Sequence, residues 1–316
     1  MFLRRYFVLF IALIATAGIS RAAATQAYII VDSKTGYILQ EQESKQKRQV
    51  GSLTKMATAA VALDWMEHKS GSLTDVATIP PEAFVGATEN HIGFQPGDRI
   101  ELRDLLYAAL VQSDNIAAYT LAAHIGVQLQ SVTPVAEGSK KISSADIFVS
   151  QMNALAKTLK MEKTRFVNPT GVDANVKPTP FSTAEDMARL ARYVMNKASF
   201  RFYVSQKERQ ISFDHQGQKR NYVLRNSNEL LGRDGIDGVK TGETAKAGQC
   251  LVLSANREAE IVTEGQMTTV FPRHLIIVLL GSANRFAEGD QLVRTGWQLY
   301  DQWVAGGRMI DPLKVL

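Results

Sequence analysis

SLTKMATAAVALDWM, residues 52–66, is the stretch that decides the fold, because it joins a candidate nucleophile to the start of a helix. One face of this predicted helix carries the apolar side chains Met56, Ala59, Ala60 and Leu63. A helix that begins here places Ser52 and Lys55 one turn apart on the same side, within hydrogen-bond reach. A serine becomes a nucleophile when a base stands beside it, and burial or a second cation makes lysine such a base by lowering its pKa. The stretch therefore predicts a catalytic Ser52 with Lys55 as its general base.

On either side of a helical middle, the chain contains segments that are typical of strands. Strands are predicted at residues 27–31, 37–39, 211–213, 221–224, 236–239, 249–255 and 275–280. Helices are predicted at residues 105–111, 116–125, 145–159 and 294–304, and after a capping box formed by Ser182 and Glu185. The polar residues 126–144 are interpreted as an inserted loop, and residues 78–98 as another. The order strands, helices, strands, helix predicts an α+β fold whose first and last strands share one sheet.

The first 24 residues are predicted to be a signal peptide outside the fold. Arg4 and Arg5 precede an apolar run over residues 6–19, which is short for a membrane span, and alanines at 22–24 offer a cleavage site. We therefore expect an exported protein, periplasmic or extracytoplasmic and soluble after cleavage, with one catalytic domain over residues 25–310. Arg21, close to the cleavage site, leaves an uncleaved N-terminal anchor as the alternative.

Charge and cysteine content argue against several classes of function. The chain carries a net charge of +5, of which Arg4, Arg5 and Arg21 supply three, so the part after residue 24 carries +2. This small charge, without a basic stripe of interleaved aromatic residues, argues against nucleic-acid binding. Cys250 is the single cysteine, which excludes an internal disulfide and a cysteine-based metal site, and its apolar surroundings predict a core residue. We expect no metal, and no nucleotide or other cofactor, since no phosphate-cradling glycine loop is present.

A Ser-x-Asn motif is the second candidate element of a site. It occurs as Ser113-Asp114-Asn115 between two predicted helices, in a loop that can face the start of the Ser52 helix. The Ser113 hydroxyl is suited to relay a proton to a leaving amine, and the Asn115 amide to hold a substrate backbone. The same motif at residues 254–256 and 282–284 is assigned to strand ends, where serine and asparagine are ordinary turn formers.

A Lys-Thr-Gly motif at residues 240–242 follows a predicted strand and is the third element. Lys240 supplies the second cation, Thr241 is suited to bind a carboxylate, and the open strand edge at Gly242 is suited to pair with a peptide. Lys-Thr-Gly at residues 34–36 fits a hairpin turn, and Ser-x-x-Lys at residues 44–47 lies in a polar run without a helix behind it. Each motif alone is weak, but the three selected ones occur in a consistent order.

In this combination the chain resembles the low-molecular-weight penicillin-binding proteins, the serine D-alanyl-D-alanine carboxypeptidases of the peptidase S11 family. The resemblance runs from about residue 27 to residue 303 and includes residues 27–32, 166–171, 181–188, 237–242 and 246–248. It implies the penicillin-recognising fold, with a five-stranded antiparallel sheet beside a helical subdomain. Because the chain ends soon after Asp311, the C-terminal β-domain and terminal membrane anchor of many relatives are expected to be missing.

The resemblance also implies a role for each motif. Ser52 attacks the carbonyl between the two terminal D-alanines of a peptidoglycan stem pentapeptide, with Lys55 as general base and Ser113 as proton relay. Lys240 and Thr241 hold the substrate carboxylate. β-Lactam antibiotics are implied as covalent inhibitors, because they mimic the D-Ala-D-Ala end and acylate the same serine.

The backbone amides of Ser52 and Glu243 are implied to form the oxyanion hole, a contribution of ~3–4 kcal/mol per donor in serine hydrolases. Glu243 stands where some relatives carry histidine, which leaves the amide but alters the local charge. Asp114 replaces a small residue of many relatives, and the loop at 127–144 looks longer than usual. Arg285 is interpreted as structural, with carboxylate binding as the alternative.

Several other functions are weaker alternatives. A DD-endopeptidase uses the same site, and the sequence does not separate it from a carboxypeptidase. A class A β-lactamase shares the motifs but requires a Glu-x-x-Leu-Asn stretch, which is missing between Ser113 and Lys240. The intact motifs argue against a wall-binding protein that has lost its catalytic activity. A Ser-His-Asp hydrolase is disfavoured because none of the histidines lies beside a motif in the sequence. His91 with Glu89 and Asp98 is the single metal candidate, and its spacing is irregular.

Overall fold

The computed structural model describes residues 25–69, 71–87, 89–130 and 142–316, and the predicted signal peptide lies outside them. The strands are β1 (Ala27–Asp32), β2 (Ile38–Gln42), β3 (Val76–Thr78), β4 (Arg99–Glu101), β5 (Glu208–His215), β6 (Gln218–Arg225), β7 (Ile236–Thr244), β8 (Gly248–Glu264) and β9 (Met267–Ser282). The helices are α1 (Lys55–Lys69), α2 (Leu102–Val111), α3 (Asn115–Gln130), α4 (Ser144–Thr158), α5 (Ala184–Met195), α6 (Ala198–Val204) and α7 (Arg285–Ala305). Short 3-10 helices cover Gly51–Thr54, Pro81–Phe84 and Pro312–Lys314.

The described strands include a five-stranded antiparallel sheet in the order β2-β1-β9-β8-β7. Ala27 of β1 pairs with Leu280 of β9, which confirms that the first and last predicted strands share one sheet. Side chains alternate along β1, so that Ile29 and Val31 enter the larger core while Ile30 enters a second core with Trp297 of α7. The sheet is thus covered on both faces, and β7 forms one of its edges.

Helices α1 to α6 form the region between the strands, and α1 lies in its interior. The predicted apolar face of α1 is buried: Met56, Ala59, Ala60 and Leu63 are each at most 3% exposed. Helix α1 contacts α2, α3, α4, α5 and α6, and the 3-10 helix that precedes it contacts β7 and β8, so the start of α1 lies between the helices and the sheet. The α+β prediction is confirmed, and the seam between the two regions is where the candidate site lies.

A second sheet, in the order β3-β4-β5-β6, was not predicted. Strands β5 and β6 contain the strands predicted at residues 211–213 and 221–224, but β3 and β4 lie at the two ends of the stretch that was interpreted as a loop. Both are three residues long, too short for the alternation that identifies a strand. The buried Asp98 beside β4 accepts a hydrogen bond from His215 of β5 at 2.7 Å.

Some element boundaries also differ from the prediction. Thr183, not Ser182, caps α5, because its side chain accepts from the Asp186 amide at 3.0 Å while Ser182 pairs with Thr164. Residues 126–130, predicted as loop, are the last residues of α3, and residues 131–141 lie outside the described part of the chain. Helix α7 begins nine residues before its predicted start, at Arg285. Ser254 lies inside β8, not at a strand end.

Cys250 is fully buried on β8, as predicted, and burial raises the pKa of its thiol to about 11. Among the described residues, every helix is too short or too polar to cross a bilayer.

Candidate active site

Ser52 and Lys55 meet at the junction of the 3-10 helix Gly51–Thr54 with α1. The Lys55 ammonium donates a hydrogen bond to the Ser52 hydroxyl oxygen at 2.8 Å. Ser52 is half-buried, whereas Lys55 is fully buried, so the hydroxyl borders the surface and the amine lies beneath it. This is the geometry that the spacing of the two residues predicts.

Two further acceptors surround the Lys55 amine. Asn115 is the first residue of α3, and its side-chain oxygen accepts a hydrogen bond from Lys55 at 2.7 Å. The Thr170 carbonyl accepts another at 3.0 Å. With Ser52, these atoms use all three donors of an ammonium. Burial nevertheless lowers the pKa of Lys55 to about 7, and the Asp114 carboxylate opposes the shift. At neutral pH a large fraction of Lys55 is therefore neutral and able to accept a proton.

Ser113 and Asp114 lie between α2 and α3, and Asn115 begins α3 beside Lys55. Ser113 has φ +69, a left-handed conformation that turns the chain between the two helices. The Asp114 side chain accepts from the Ala117 amide at 2.7 Å and caps α3. Burial raises the pKa of Asp114 to about 6, although this backbone hydrogen bond and Lys55 lower it. The structure thus gives Asn115 a contact with Lys55 in addition to the substrate contact that was predicted.

Strand β7 approaches the Ser52 turn so closely that glycines are required on both sides. A Cβ on Gly242 would lie 2.6 Å from the Val50 carbonyl oxygen. A Cβ on Gly51, which has φ +52, would lie 3.0 Å from the Glu243 nitrogen. The Glu243 amide therefore lies next to the turn that carries Ser52, as an oxyanion hole made by the amides of these two residues requires.

Lys240 and Thr241 lie on β7 beside this turn and are both buried. Burial, together with the positive charges of Lys55 and Arg285, holds the pKa of Lys240 well below its usual range. A bound carboxylate would raise it again and draw a proton onto Lys240. The Thr241 hydroxyl is hydrogen-bonded to that of Ser227 at 2.7 Å, and no feature of the sequence indicated Ser227.

A loop at residues 168–173 joins the two sides of the site, and no role beyond its likeness to the family was predicted for it from the sequence. Its Thr170 carbonyl holds Lys55, while Asp173 accepts a hydrogen bond from Thr244 of β7 at 2.7 Å. The Asn168 side chain shapes the turn by accepting from the Gly171 amide at 2.7 Å. Main-chain acceptors of this kind leave no residue-type signal, since any residue at position 170 supplies a carbonyl.

Replacing Gly171 by alanine is expected to damage both stability and the site. A Cβ there would lie 1.9 Å from the Gly51 carbonyl oxygen, and the residue has φ +87. We expect the free energy of unfolding to fall by ~3 kcal/mol or more, and acylation to slow, because the turn that carries Ser52 is displaced. Chemical denaturation and the rate of penicillin labelling measure the two effects.

Gly217→Ala is the matched control for this substitution. Gly217 has a similar φ of +81, but its Cβ would meet no described atom within 4 Å. Its expected cost is only the backbone strain of ~1–2 kcal/mol, with normal labelling. Equal losses in the two variants would show that the close contact with Gly51 is unimportant.

The rejected motifs lie away from this cluster. Residues 34–36 form the turn between β1 and β2, and Ser44 donates a hydrogen bond to Glu41 in a loop. His91 pairs with Glu89 at the surface at 2.9 Å, while Asp98 pairs with His215, so these three are not brought together as a metal site. Within the described ranges, no group of three or more histidine, cysteine, aspartate or glutamate side chains is placed to hold a metal ion.

Comparisons with known proteins give one consistent result. The model of the peptidase S11 family, described as D-alanyl-D-alanine carboxypeptidase, matches residues 15–267. D-alanyl-D-alanine carboxypeptidase DacC of Escherichia coli K12 is 30% identical over 285 residues, which are 87% of this chain and 62% of that protein. A D-alanyl-D-alanine endopeptidase of Pseudomonas aeruginosa is 31% identical over 237 residues, 73% of this chain and 66% of that protein. The chain thus spans less than two thirds of the length of both relatives.

A solved structure agrees in fold along most of the chain. The Streptomyces K15 DD-transpeptidase superposes with a TM-score of 0.71 at 25% identity, and the match covers 87% of this chain and 97% of that one. The α+β penicillin-recognising fold expected from the motifs is therefore confirmed. This fold places a five-stranded sheet beside helices, with the three motifs at the seam between them.

Proposed function

Because the chain belongs to the peptidase S11 family of D-alanyl-D-alanine carboxypeptidases, we propose that it is a serine DD-carboxypeptidase that removes the terminal D-alanine from peptidoglycan stem pentapeptides in cell-wall remodelling. The observation that carries the proposal is the buried Lys55 amine, 2.8 Å from the Ser52 hydroxyl and with a pKa of about 7. A neutral amine in this position is the base that a serine nucleophile needs.

The reaction begins at the Ser52 hydroxyl. Its oxygen attacks the carbonyl between the two terminal D-alanines while the proton passes to neutral Lys55. The amides of Ser52 and Glu243 stabilise the oxyanion of the tetrahedral intermediate. The C–N bond then breaks, and Ser113 relays the proton from Lys55 to the departing D-alanine. Water then attacks the acyl carbonyl while Lys55 takes its proton. The ester bond to Ser52 breaks, and Lys55 returns the proton to the Ser52 oxygen.

Substrate binding uses the edge of β7 and the loop before α3. The peptide backbone pairs with the open edge of β7 at Gly242, and the Asn115 amide, whose oxygen is held by Lys55, donates to a substrate carbonyl. Lys240 and Thr241 take the terminal carboxylate. β-Lactams, which present a carboxylate beside a reactive carbonyl, acylate Ser52 by the same route.

Release of D-alanine from diacetyl-Lys-D-Ala-D-Ala tests the proposal. We expect the folded chain to turn over this peptide. Pre-treatment with penicillin should abolish the turnover, because the peptide and penicillin both react with Ser52. Chromatography or a coupled D-amino-acid oxidase assay measures the product. Failure to release D-alanine from this peptide, together with failure to be labelled by penicillin, would refute the assignment.

DD-endopeptidase activity is the second candidate, favoured by the similarity to the Pseudomonas aeruginosa endopeptidase. It breaks the same kind of bond with the same residues, but the leaving amine belongs to a cross-linked stem peptide. Incubation with purified cross-linked muropeptide dimers distinguishes the two activities. Faster cleavage of dimers than of pentapeptides would make the endopeptidase the main activity.

Fast, repeated turnover of nitrocefin would instead indicate a β-lactamase, for which the sequence lacks the Glu-x-x-Leu-Asn stretch. We expect slow, stoichiometric acylation.

We further propose that the protein acts outside the cytoplasm, where peptidoglycan lies. Support comes from the basic and apolar pattern of residues 1–24. Cell fractionation with an antibody or a C-terminal tag tests this, and the size of the exported form reveals cleavage.

A further inference from the structure

An arginine outside the three motifs borders the carboxylate-binding strand. Arg285 begins α7, and its Nη1 donates to the Gly242 carbonyl at 3.0 Å. Its positive charge is close enough to depress the pKa of the buried Lys240. Two basic side chains, Lys240 and Arg285, therefore lie at the part of β7 proposed for the substrate carboxylate. Lys240 is buried, whereas 17% of the Arg285 side chain is exposed.

Glu243, the residue after Gly242, forms an ion pair with Arg285. The Glu243 carboxylate lies 3.0 Å from the same Nη1 atom, with 54% of its side chain exposed. Nη1 thus donates a hydrogen bond to the Gly242 carbonyl and forms an ion pair with the Glu243 carboxylate. A substrate carboxylate that binds Arg285 therefore lies close to Glu243, and it either displaces the Glu243 carboxylate or binds against its negative charge.

The pair is weak enough to be displaced. An ion pair between a half-exposed carboxylate and a partly exposed guanidinium contributes little to stability, since water screens it and both side chains lose rotational freedom. A substrate carboxylate that is also attracted by Lys240 can therefore compete for Arg285. Separating Glu243 from Arg285 costs free energy. This cost weakens the binding of every substrate that carries a C-terminal carboxylate.

We propose that Glu243 is a specificity-determining residue, whose side chain acts as an internal competitor for the substrate carboxylate at Arg285. The inference rests on the proposed function, because it deepens the substrate selectivity of the same site. The Glu243 backbone amide and side chain thus act separately: the amide faces the reacting carbonyl, and the carboxylate reduces the preference for peptides with a free C-terminal carboxylate.

Glu243→Gln tests the proposal, because it removes the charge and leaves the backbone amide. The measured quantity is kcat/KM for diacetyl-Lys-D-Ala-D-Ala divided by kcat/KM for the same peptide with a C-terminal amide. We expect this acid-to-amide ratio to rise by about fivefold, with the change confined to the acid, as the loss of a weak competing ion pair predicts. An unchanged ratio, or an equal loss with both peptides, would overturn the proposal and give Glu243 a purely structural role.

Asp301→Asn is the matched control. It removes the same charge from an exposed ion pair with Arg257 and Arg273, roughly 24 Å along α7 from Arg285. The acid-to-amide ratio should stay at the unsubstituted value. An increase equal to that of Glu243→Gln would assign the effect to net charge and overturn the inference.

A binding measurement separates failure of this inference from failure of the proposed function. In the Ser52→Ala background, calorimetry gives Kd for the acid and amide peptides with and without Glu243→Gln. Tighter binding of the acid alone supports the competitor role even if the unsubstituted chain releases no D-alanine. Equal Kd values, or failure of the acid peptide to bind any variant, would overturn it.

Discussion

Ser52→Ala is expected to abolish labelling by fluorescent penicillin and to reduce D-alanine release by about 10⁶-fold, the size of effect seen when the nucleophile is removed from a serine hydrolase. In the proposed mechanism this hydroxyl forms the acyl bond, and it is the hydroxyl that accepts a hydrogen bond from Lys55 at 2.8 Å. Ser52 is half-buried at the end of a short turn, so loss of one oxygen leaves the packing intact. Gel fluorescence and steady-state kinetics measure the effects, and thermal unfolding verifies the fold.

Ser44→Ala provides the control, because Ser44 opens the rival Ser-x-x-Lys motif. Its hydroxyl pairs with Glu41 in a loop, away from Lys55. Labelling should therefore remain stoichiometric. Persistent labelling of the Ser52→Ala variant, or its loss in the Ser44→Ala variant, would show that the nucleophile has been assigned to the wrong serine.

Lys55→Met is also expected to slow the reaction strongly while leaving the chain folded. The substitution keeps a long side chain in a fully buried position but removes the base. We expect kcat/KM and the acylation rate to fall by about 10²–10⁴-fold, the usual contribution of a general base. Removing the buried amine removes its desolvation cost, and this offsets the loss of its hydrogen bonds to the Asn115 and Thr170 oxygens. Unfolding midpoints that remain unchanged would separate this chemical loss from misfolding.

The pH dependence of the unsubstituted chain follows from the same amine. Lys55 must be neutral to accept a proton, and its pKa is lowered to about 7, so kcat/KM should rise with pH and level off above that value. The neighbouring Asp114 has a pKa of about 6, and its ionised form favours protonated Lys55, so the observed midpoint belongs to the coupled pair. A rate that is constant between pH 5 and 9 would contradict the role of Lys55.

The same shift also affects stability. The folded-state pKa of Lys55 lies below its ordinary value of 10.5. Between the two values the unfolded chain therefore binds the proton that the folded chain releases. This group's contribution to stability thus rises with pH from about 7 upward, and equilibrium denaturation at several pH values checks the sign.

Most of the longer helices and strands could be predicted from the sequence, because each extends over more than one turn of helix or more than two residues of strand. The apolar face of α1 was located because it repeats at a fixed period. Strands β1, β8 and β9 were located because a strand that is covered on both faces reads as a continuous apolar run. The short strands β3 and β4 were missed because three residues are too few to show that period. The start of α7 was placed too late because its first two turns, residues 285–293, mix polar and apolar side chains.

The site was predictable where a side chain acts and not where the main chain acts. Ser52, Lys55 and Asn115 were identified by residue type, and the structure brings all three into hydrogen-bond contact. The carbonyl of Thr170 could not be identified, because every residue has one. The pairing of Glu243 with Arg285 was also missed, since the two are far apart in sequence and meet only when α7 folds against the edge of the sheet.

The pairing of β1 with β9 bears on when the proposed active site is completed during synthesis of the chain. Ala27 is among the first described residues to be synthesised, yet its partner Leu280 emerges about 250 residues later. Contacts so distant in sequence form slowly and late, because a long loop must close first. Ser52, Lys55 and Asn115 can gather within the helices of a nascent chain, but β7 reaches them only as an edge of the completed sheet. We therefore expect reactivity toward penicillin to report finished folding as well as the proposed catalysis.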